Sequence, residues 1–211
     1  MSGILDLLNS DLGKTLISGV AGQSGQSADK TSSLLTMALP VLMGAMKRNA
    51  ATPEGAAGLM GALEKHDGSI LDNLGGLFGG GVDQNIMQDG AGILGHVLGG
   101  SQDNVANALA QKSGMDMGSV MKILSVAAPI VMGYLGKQKR QQNISNQNGI
   151  GDLLGGLLGG GATANKQQSL IESLLDGNND GSILDDVAGM VLGGGKKGGL
   201  LGGLLGGLFG K

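Results

Sequence analysis

The stretch Leu34-Leu-Thr-Met-Ala-Leu-Pro-Val-Leu-Met-Gly44 decides the fold, because it recurs from residue 123 as Ile123-Leu-Ser-Val-Ala-Ala-Pro-Ile-Val-Met-Gly133. The match widens to residues 3–48 and 92–137 at the same offset, 123 − 34 = 89. Agreement at one offset over so long a span indicates an internal duplication rather than shared composition. A duplicated apolar unit describes packing and self-association, and it does not by itself describe a reaction.

Apolar residues follow a helical spacing through the first two thirds of the chain, which predicts an all-α fold of duplicated helical bundle units. Proline inside a helix removes a backbone donor and clashes with the preceding turn. We therefore expect a kink or a break at Pro40 and at Pro129, and two prolines at equivalent places indicate a feature of the fold. The expected helices cover residues 4–20, 30–48, 53–65, 85–99 and 101–112, followed by the Pro129 helix.

Three segments are predicted along the chain: a first helical repeat unit at 1–82, a second at 83–140, and an extension at 141–211. The polar residues 137–148 are rich in Gln and Asn and predict a linker into that extension.

The extension carries Leu/Gly blocks at residues 149–161 and 198–210, with a small helix–loop–helix expected between them at 167–192. Flexible low-complexity sequence is the expectation for these blocks, with self-association as the next alternative. Contact of the tail with a membrane is a further alternative, since Lys196, Lys197 and Lys211 flank the last block.

The composition limits the classes of function. The chain has 211 residues, of which 44 are Gly, and it has no Cys, so disulfides and thiolate metal sites are excluded. A net charge of −3 favours no nucleic-acid partner. The N-terminus lacks the pattern of a secretory signal, and no run reaches the ~18 apolar residues of a membrane span, so we expect a cytoplasmic location.

One acidic loop has the pattern of a calcium site. Asp176, Asn178 and Asp180 occupy ligand positions 1, 3 and 5, and Gly181 follows at the turn position. Position 12 is Val187 instead of a bidentate acid, so a non-standard loop would use Asp185 or Asp186. The predicted ligand set is Asp176, Asn178, Asp180, Ser182 and Asp186. The alternative is that Asp180 caps the helix beginning at Ser182.

The two histidines, His66 and His96, are the other candidates for chemistry. Asp67 follows His66 and could orient it, which gives a hydrolase hypothesis, although no nucleophile is spaced to complete a triad. His96 replaces Leu7 of the first copy, so a half-buried packing role is expected for it. No catalytic residue is assigned.

Several strings resemble an uncharacterised bacterial DUF-type family related to the YidB-like proteins. The most distinctive are His66-Asp-Gly-Ser69 and Gly95-His-Val-Leu-Gly99, together with the repeated Asp-Gly-Ser-Ile-Leu-Asp at residues 67–72 and 180–185. The resemblance implies an all-helical fold and a bacterial origin, and it supplies no reaction.

The sequence thus favours a non-enzymatic interaction or scaffold protein that forms homo-oligomers through apolar helices and needs no cofactor. A calcium-responsive binding module built on residues 176–186 is the alternative, and a hydrolase using His66 and Asp67 is the third.

Overall fold

A computed structural model of the chain describes residues 4–159, which form helices joined by short turns. No strand occurs in this part of the chain, so the all-α prediction is confirmed there. The helices are α1 (Ile4–Asn9), α2 (Asp11–Ser24), α3 (Ala28–Asn49), α4 (Pro53–Lys65), α5 (Ser69–Asp72), α6 (Leu74–Gly79), α7 (Gln84–Leu98), α8 (Gln102–Ser113), α9 (Met117–Gln141) and α10 (Gln147–Gly159), with a 3₁₀ turn at Gly99–Ser101.

One predicted helix has the wrong extent. The helix expected over residues 4–20 is divided at Ser10, whose hydroxyl accepts the Gly13 N–H at 3.2 Å and so begins α2. Of the kink or break expected at the prolines, the break does not occur, because Pro40 and Pro129 both lie inside continuous helices.

The duplication extends to the backbone at the helix ends. Gly25 and Gly114, which are 89 positions apart (114 − 25), end α2 and α8 in the left-handed conformation, with φ of 69° and 65°. After each glycine a side-chain oxygen starts the next helix, since Ser27 accepts the Lys30 N–H and Asp116 accepts the Ser119 N–H. The two copies therefore share their turn chemistry as well as their apolar pattern.

The two repeat units are halves of one core. Helix α3 of the first unit packs against α8 of the second, and α9 of the second packs against α2 of the first. The buried apolar residues of both units belong to a single cluster, with α3 and α9 contributing the largest share. Because the contacts are exchanged between the units, neither unit completes its core without the other.

The most extensive helix pair is α7 with α9. It depends on Gly90, because a Cβ there would overlap the backbone carbonyl of Ser125. α9 is also long and apolar enough to cross a membrane, but 72% of its most apolar window is buried inside the protein, which is the position of a core helix.

The first Leu/Gly block corrects the predicted boundary of the extension. Residues 147–159 form α10, which packs against α3, α4 and α9. Its buried residues are Ile150, Leu153, Leu154 and Leu157. Up to Gly159 this block is a core helix and not flexible sequence, and the linker shortens to residues 142–146. The rest of the extension lies outside the described residues.

Thr31 generates a stability prediction. Its side chain is fully buried, and its hydroxyl has no hydrogen-bond partner. The counterpart in the second copy, at 31 + 89 = 120, is the equally buried Val120. We expect Thr31→Val to raise the free energy of unfolding by about 1 kcal/mol, because an unsatisfied buried hydroxyl is removed. Urea denaturation followed by circular dichroism measures this, and Val120→Thr is the matched reverse change, which should destabilise.

The α10 helix generates a second prediction. Leu154→Ala should lower the free energy of unfolding by about 2–5 kcal/mol, because it leaves a cavity among three helices. Leu158→Ala on the same helix should cost clearly less, since Leu158 is only partly buried. Equal and negligible effects of the two changes in a denaturation experiment would contradict the assignment of α10 to the core.

Candidate functional site

The described part of the chain contains no group of three or more His, Cys, Asp and Glu side chains placed to hold a metal ion. The predicted calcium ligands Asp176, Asn178, Asp180, Ser182 and Asp186 lie outside this part, as does the helix–loop–helix around them. Calcium binding at that loop therefore stays a prediction from sequence.

His66 and Asp67 do not form a dyad. His66 ends α4, and its Nε2 lies 3.6 Å from the carboxylate of Asp89 on α7. The Asp67 carboxylate instead accepts the Ser69 N–H at 3.0 Å and lies 3.3 Å from the guanidinium of Arg140. The prediction that Asp67 orients His66 is wrong, because the Asp-Gly-Ser turn directs this carboxylate towards the start of α5.

The electrostatics of Asp67 agree with a structural role. Its pKa lies below the ordinary value, chiefly because the Ser69 backbone N–H bonds the carboxylate, with the Ser69 side chain next and the nearby Arg140 as a further cause. A carboxylate held ionised in this way is a poor proton acceptor. His96, expected to be half-buried, is exposed, and its carbonyl oxygen accepts a bond from Asn49 at 3.1 Å.

Residues 64–72 instead clasp the C-terminal half of α9, and we call this segment the α9 clasp. Three ion pairs join it to the helix: Glu64 with Lys139 at 3.3 Å, Asp67 with Arg140 at 3.3 Å, and Asp72 with Lys137 at 4.0 Å. Lys137, Lys139 and Arg140 near the end of α9 thus each pair with one acid of the clasp. Such partly exposed pairs contribute little stability and mainly set the register of the segment on the helix.

Two glycines on α9 allow the clasp to lie against the helix backbone. A Cβ at Gly136 would overlap the carbonyl oxygen of His66, and a Cβ at Gly133 would lie 2.7 Å from the Ile70 side chain. Gly68 completes the approach with φ of 94°. The sequence signal for this site was the pair Gly133 and Gly136, which are three positions apart and so lie on one face of α9.

The first copy covers the equivalent surface differently. The counterpart of Gly136 is Lys47 (136 − 89), which cannot admit a backbone. The end of the Lys47 side chain lies beside Gly155 of α10, within 3.9 Å of where a Cβ would stand. The two helices with an internal proline, α3 and α9, are therefore each covered near their C-terminal ends by another segment of the chain. This segment is α10 on α3 and the α9 clasp on α9.

Shallow open grooves lie on the two sides of α6. One is lined by Ser69, Asn73, Asp83 and apolar residues that include Ile70 and Ile86. The other lies between α6 and α2 and is lined by Lys14, Thr15, Ser18, Gly19, Leu74, Gly75 and Phe78. Neither groove combines a nucleophile with a base positioned to activate it.

A family match accounts for the distinctive strings. The profile of bacterial proteins of unknown function DUF937 matches residues 6–138 and, as a separate stretch, residues 144–211. The chain belongs to the DUF937 family. The DUF-type resemblance is thus confirmed, whereas the relation to YidB-like proteins is not shown by this match. No curated protein and no solved structure matches the chain.

The second stretch of the DUF937 match begins just before α10, and the sequence there repeats the start of the chain. Gly149-Ile-Gly-Asp-Leu-Leu154 corresponds to Gly3-Ile-Leu-Asp-Leu-Leu8. The apolar positions of the two segments are buried alike, namely Ile4, Leu7 and Leu8 in α1 and Ile150, Leu153 and Leu154 in α10. The beginning of the second matched stretch therefore resembles α1 both in sequence and in burial.

The α9 clasp generates a prediction at Gly136. We expect Gly136→Ala to lower the free energy of unfolding by roughly 2 kcal/mol or more, because the added methyl group displaces the clasp backbone. Gly92→Ala is the matched control, since nothing lies within 4 Å of its Cβ position and Ala favours a helix. Chemical denaturation measures both, and a neutral Gly136→Ala would contradict the close approach.

Proposed function

We propose that this chain is a self-associating interaction protein that uses residues 160–211, and not the surface of its helical body, to contact other copies. The observation that carries the proposal is α10. A segment of Leu and Gly letters with poor intrinsic helical tendency becomes a helix by inserting four apolar side chains between three other helices. Leu/Gly segments of this chain are therefore suited to dock onto helices.

The surface of the described body supports the assignment to the later residues. Among its large hydrophobic side chains, only Met117 is exposed, at 39%. Highly exposed large hydrophobic side chains are thus scarce in residues 4–159. The sequence predicted association through apolar faces of the repeat helices. We instead assign the proposed association to the part of the chain that follows α10.

The remaining Leu/Gly block supplies the apolar side chains that the body lacks. Residues 198–210 contain leucine pairs separated by glycine pairs, the same pattern as α10. The leucines provide the area that stabilises a contact, and the glycines allow close approach between helices. Within one chain, α10 already covers its site on α3. The second block therefore cannot bind to that site in its own chain.

Light scattering of the intact chain after size exclusion tests the proposal. We expect a mass that exceeds that of the monomer and rises with concentration. The variant Leu201→Asp/Leu204→Asp should be monomeric, because each change replaces an apolar side chain of the block by a charged one. The matched control is Gly193→Asp/Gly194→Asp, which adds the same charge just before the block and keeps every leucine and glycine of the block. A monomer at all concentrations would overturn the proposal, and equal loss in both variants would reduce it to a charge effect.

The calcium-responsive module is the second candidate, and the same experiment separates it. A mass or radius that changes between calcium and chelator, and no longer changes in Asp176→Ala/Asp180→Ala, would assign the association to the acidic loop. Identical behaviour in the two buffers would leave Asp180 with the capping role. The hydrolase hypothesis is not pursued, because His66 and Asp67 have different partners in the structure.

A further inference from the structure

The only two phenylalanines of the chain, Phe78 and Phe209, occupy the same position in two identical segments. Residues 74–79 and residues 205–210 both read Leu-Gly-Gly-Leu-Phe-Gly. The first segment is helix α6, and the second ends one residue before the C-terminus. In a chain with so few aromatic residues, this identity directs attention to what the Phe78 ring contacts.

Helix α6 packs through three apolar side chains, those of Leu74, Leu77 and Phe78. Leu74 is buried, and the Phe78 ring lies so close to Gly19 on α2 that a Cβ there would overlap the ring. We call the surface formed by Thr15, Ser18 and Gly19 the Gly19 notch. The notch admits a ring only because residue 19 has no side chain.

Apart from these side-chain contacts, few interactions stabilise α6. It has six residues, about half the length at which an isolated helix becomes marginally stable. Its N-terminus has no side-chain cap, and added Cβ atoms at Gly75 and Gly79 would meet nothing within 4 Å. The position of α6 therefore depends on its contacts with α2 and α5, and a second segment with the same side chains can make the contacts with α2.

The second copy of the repeat does not offer this notch. The counterparts of Ser18 and Gly19 on α8, at an offset of 89, are Asn107 and Ala108. Asn107 and the neighbouring Asn104 are exposed, so the corresponding surface is polar, and it carries a methyl group where α2 has none. Within the described residues, the Gly19 notch is specific to α2.

We propose that residues 205–210 are a second occupant of the Gly19 notch of their own chain, and that they exchange there with α6. Forty-five residues (160–204) separate this segment from the end of α10. At roughly 3.3 Å per residue such a chain can reach any point on a body whose radius is about 15 Å. Contact within the same chain is intramolecular and so does not depend on protein concentration, whereas contact with a second copy does. The inference goes beyond the proposed function and does not depend on it.

The absence of cysteine from the natural sequence makes the exchange measurable in the full-length chain. Ser18→Cys on the exposed rim of the notch is combined with Gly206→Cys, the counterpart of Gly75, where a Cβ meets no atom. The rate of cross-linking by a short bis-maleimide is followed on a denaturing gel at several dilutions. The matched control pairs Gly206→Cys with Asn107→Cys, the equivalent exposed position on α8.

The expected product is a cross-linked monomer whose rate of formation does not depend on dilution and exceeds that of the Asn107 control by about tenfold. Adding Phe209→Ala should reduce the rate to that of the control, because the ring contact with Gly19 is lost. Adding Phe78→Ala should raise the rate, because the competing segment is weakened. A rate equal to the control, or a rate insensitive to Phe209, would overturn the proposal.

A cross-linked dimer would also overturn the proposal, since the occupant would then come from a second copy. The scattering test of self-association has a separate outcome. Its leucine substitutions lie before residue 205, and it measures mass rather than the position of the C-terminal segment. A monomeric protein that forms the cross-link would therefore reject the proposed function and keep the present inference.

Discussion

The structure depends on the burial of α3 and α9 at the centre of a core that has almost no aromatic side chains. Aliphatic residues of moderate size must fill that core, and interiors pack as densely as organic crystals. Neighbouring helices therefore need to approach closely, and glycines make the approach possible. Gly90 brings α7 onto the backbone of α9 at Ser125, and Gly136 admits the carbonyl of His66. The unusual glycine content is in part a packing requirement, and it has a cost in helix stability that burial must offset.

The same constraint explains which parts of the fold could be predicted from the sequence. The duplication, the all-α class and the helix at 53–65 followed from apolar period and capping residues, since these are local signals. The helix at 147–159 could not be recognised, because its glycines lower the local propensity and only contact with three other helices makes it helical. The division at Ser10 also has a local signal, which is the capping serine. This signal was missed because the apolar spacing continues across it.

The candidate site shows the complementary limit of sequence. The adjacency of His66 and Asp67 suggested a pair, but successive residues at the end of a helix point in different directions. The Asp67 carboxylate contacts Ser69 and Arg140. The His66 ring lies beside Asp89, which is 22 positions away along the chain, 89 − 66 = 23 less one. Long-range pairing of this kind depends on how α4, α7 and α9 cross. In contrast, the glycines at 133 and 136 are visible in the sequence, and their spacing of three places them on one face of a helix.

The differences between the repeats are more informative about function than their similarity. The two copies keep their caps and their buried apolar positions, which the shared core requires. They differ where something docks: Gly136 in one is Lys47 in the other, and Gly19 in one is Ala108 in the other. In each case a glycine admits a neighbouring segment, namely the α9 clasp or α6. The C-terminal part of the chain repeats the letters of these docking segments, including Asp-Gly-Ser-Ile-Leu-Asp and Leu-Gly-Gly-Leu-Phe-Gly, and it matches the DUF937 family a second time. It contains no proline, whereas α3 and α9 each have one inside the helix. Residues 160–211 thus carry copies of sequences that, in the described body, lie against a glycine of another helix, and these copies are the sequence basis of the proposed interaction.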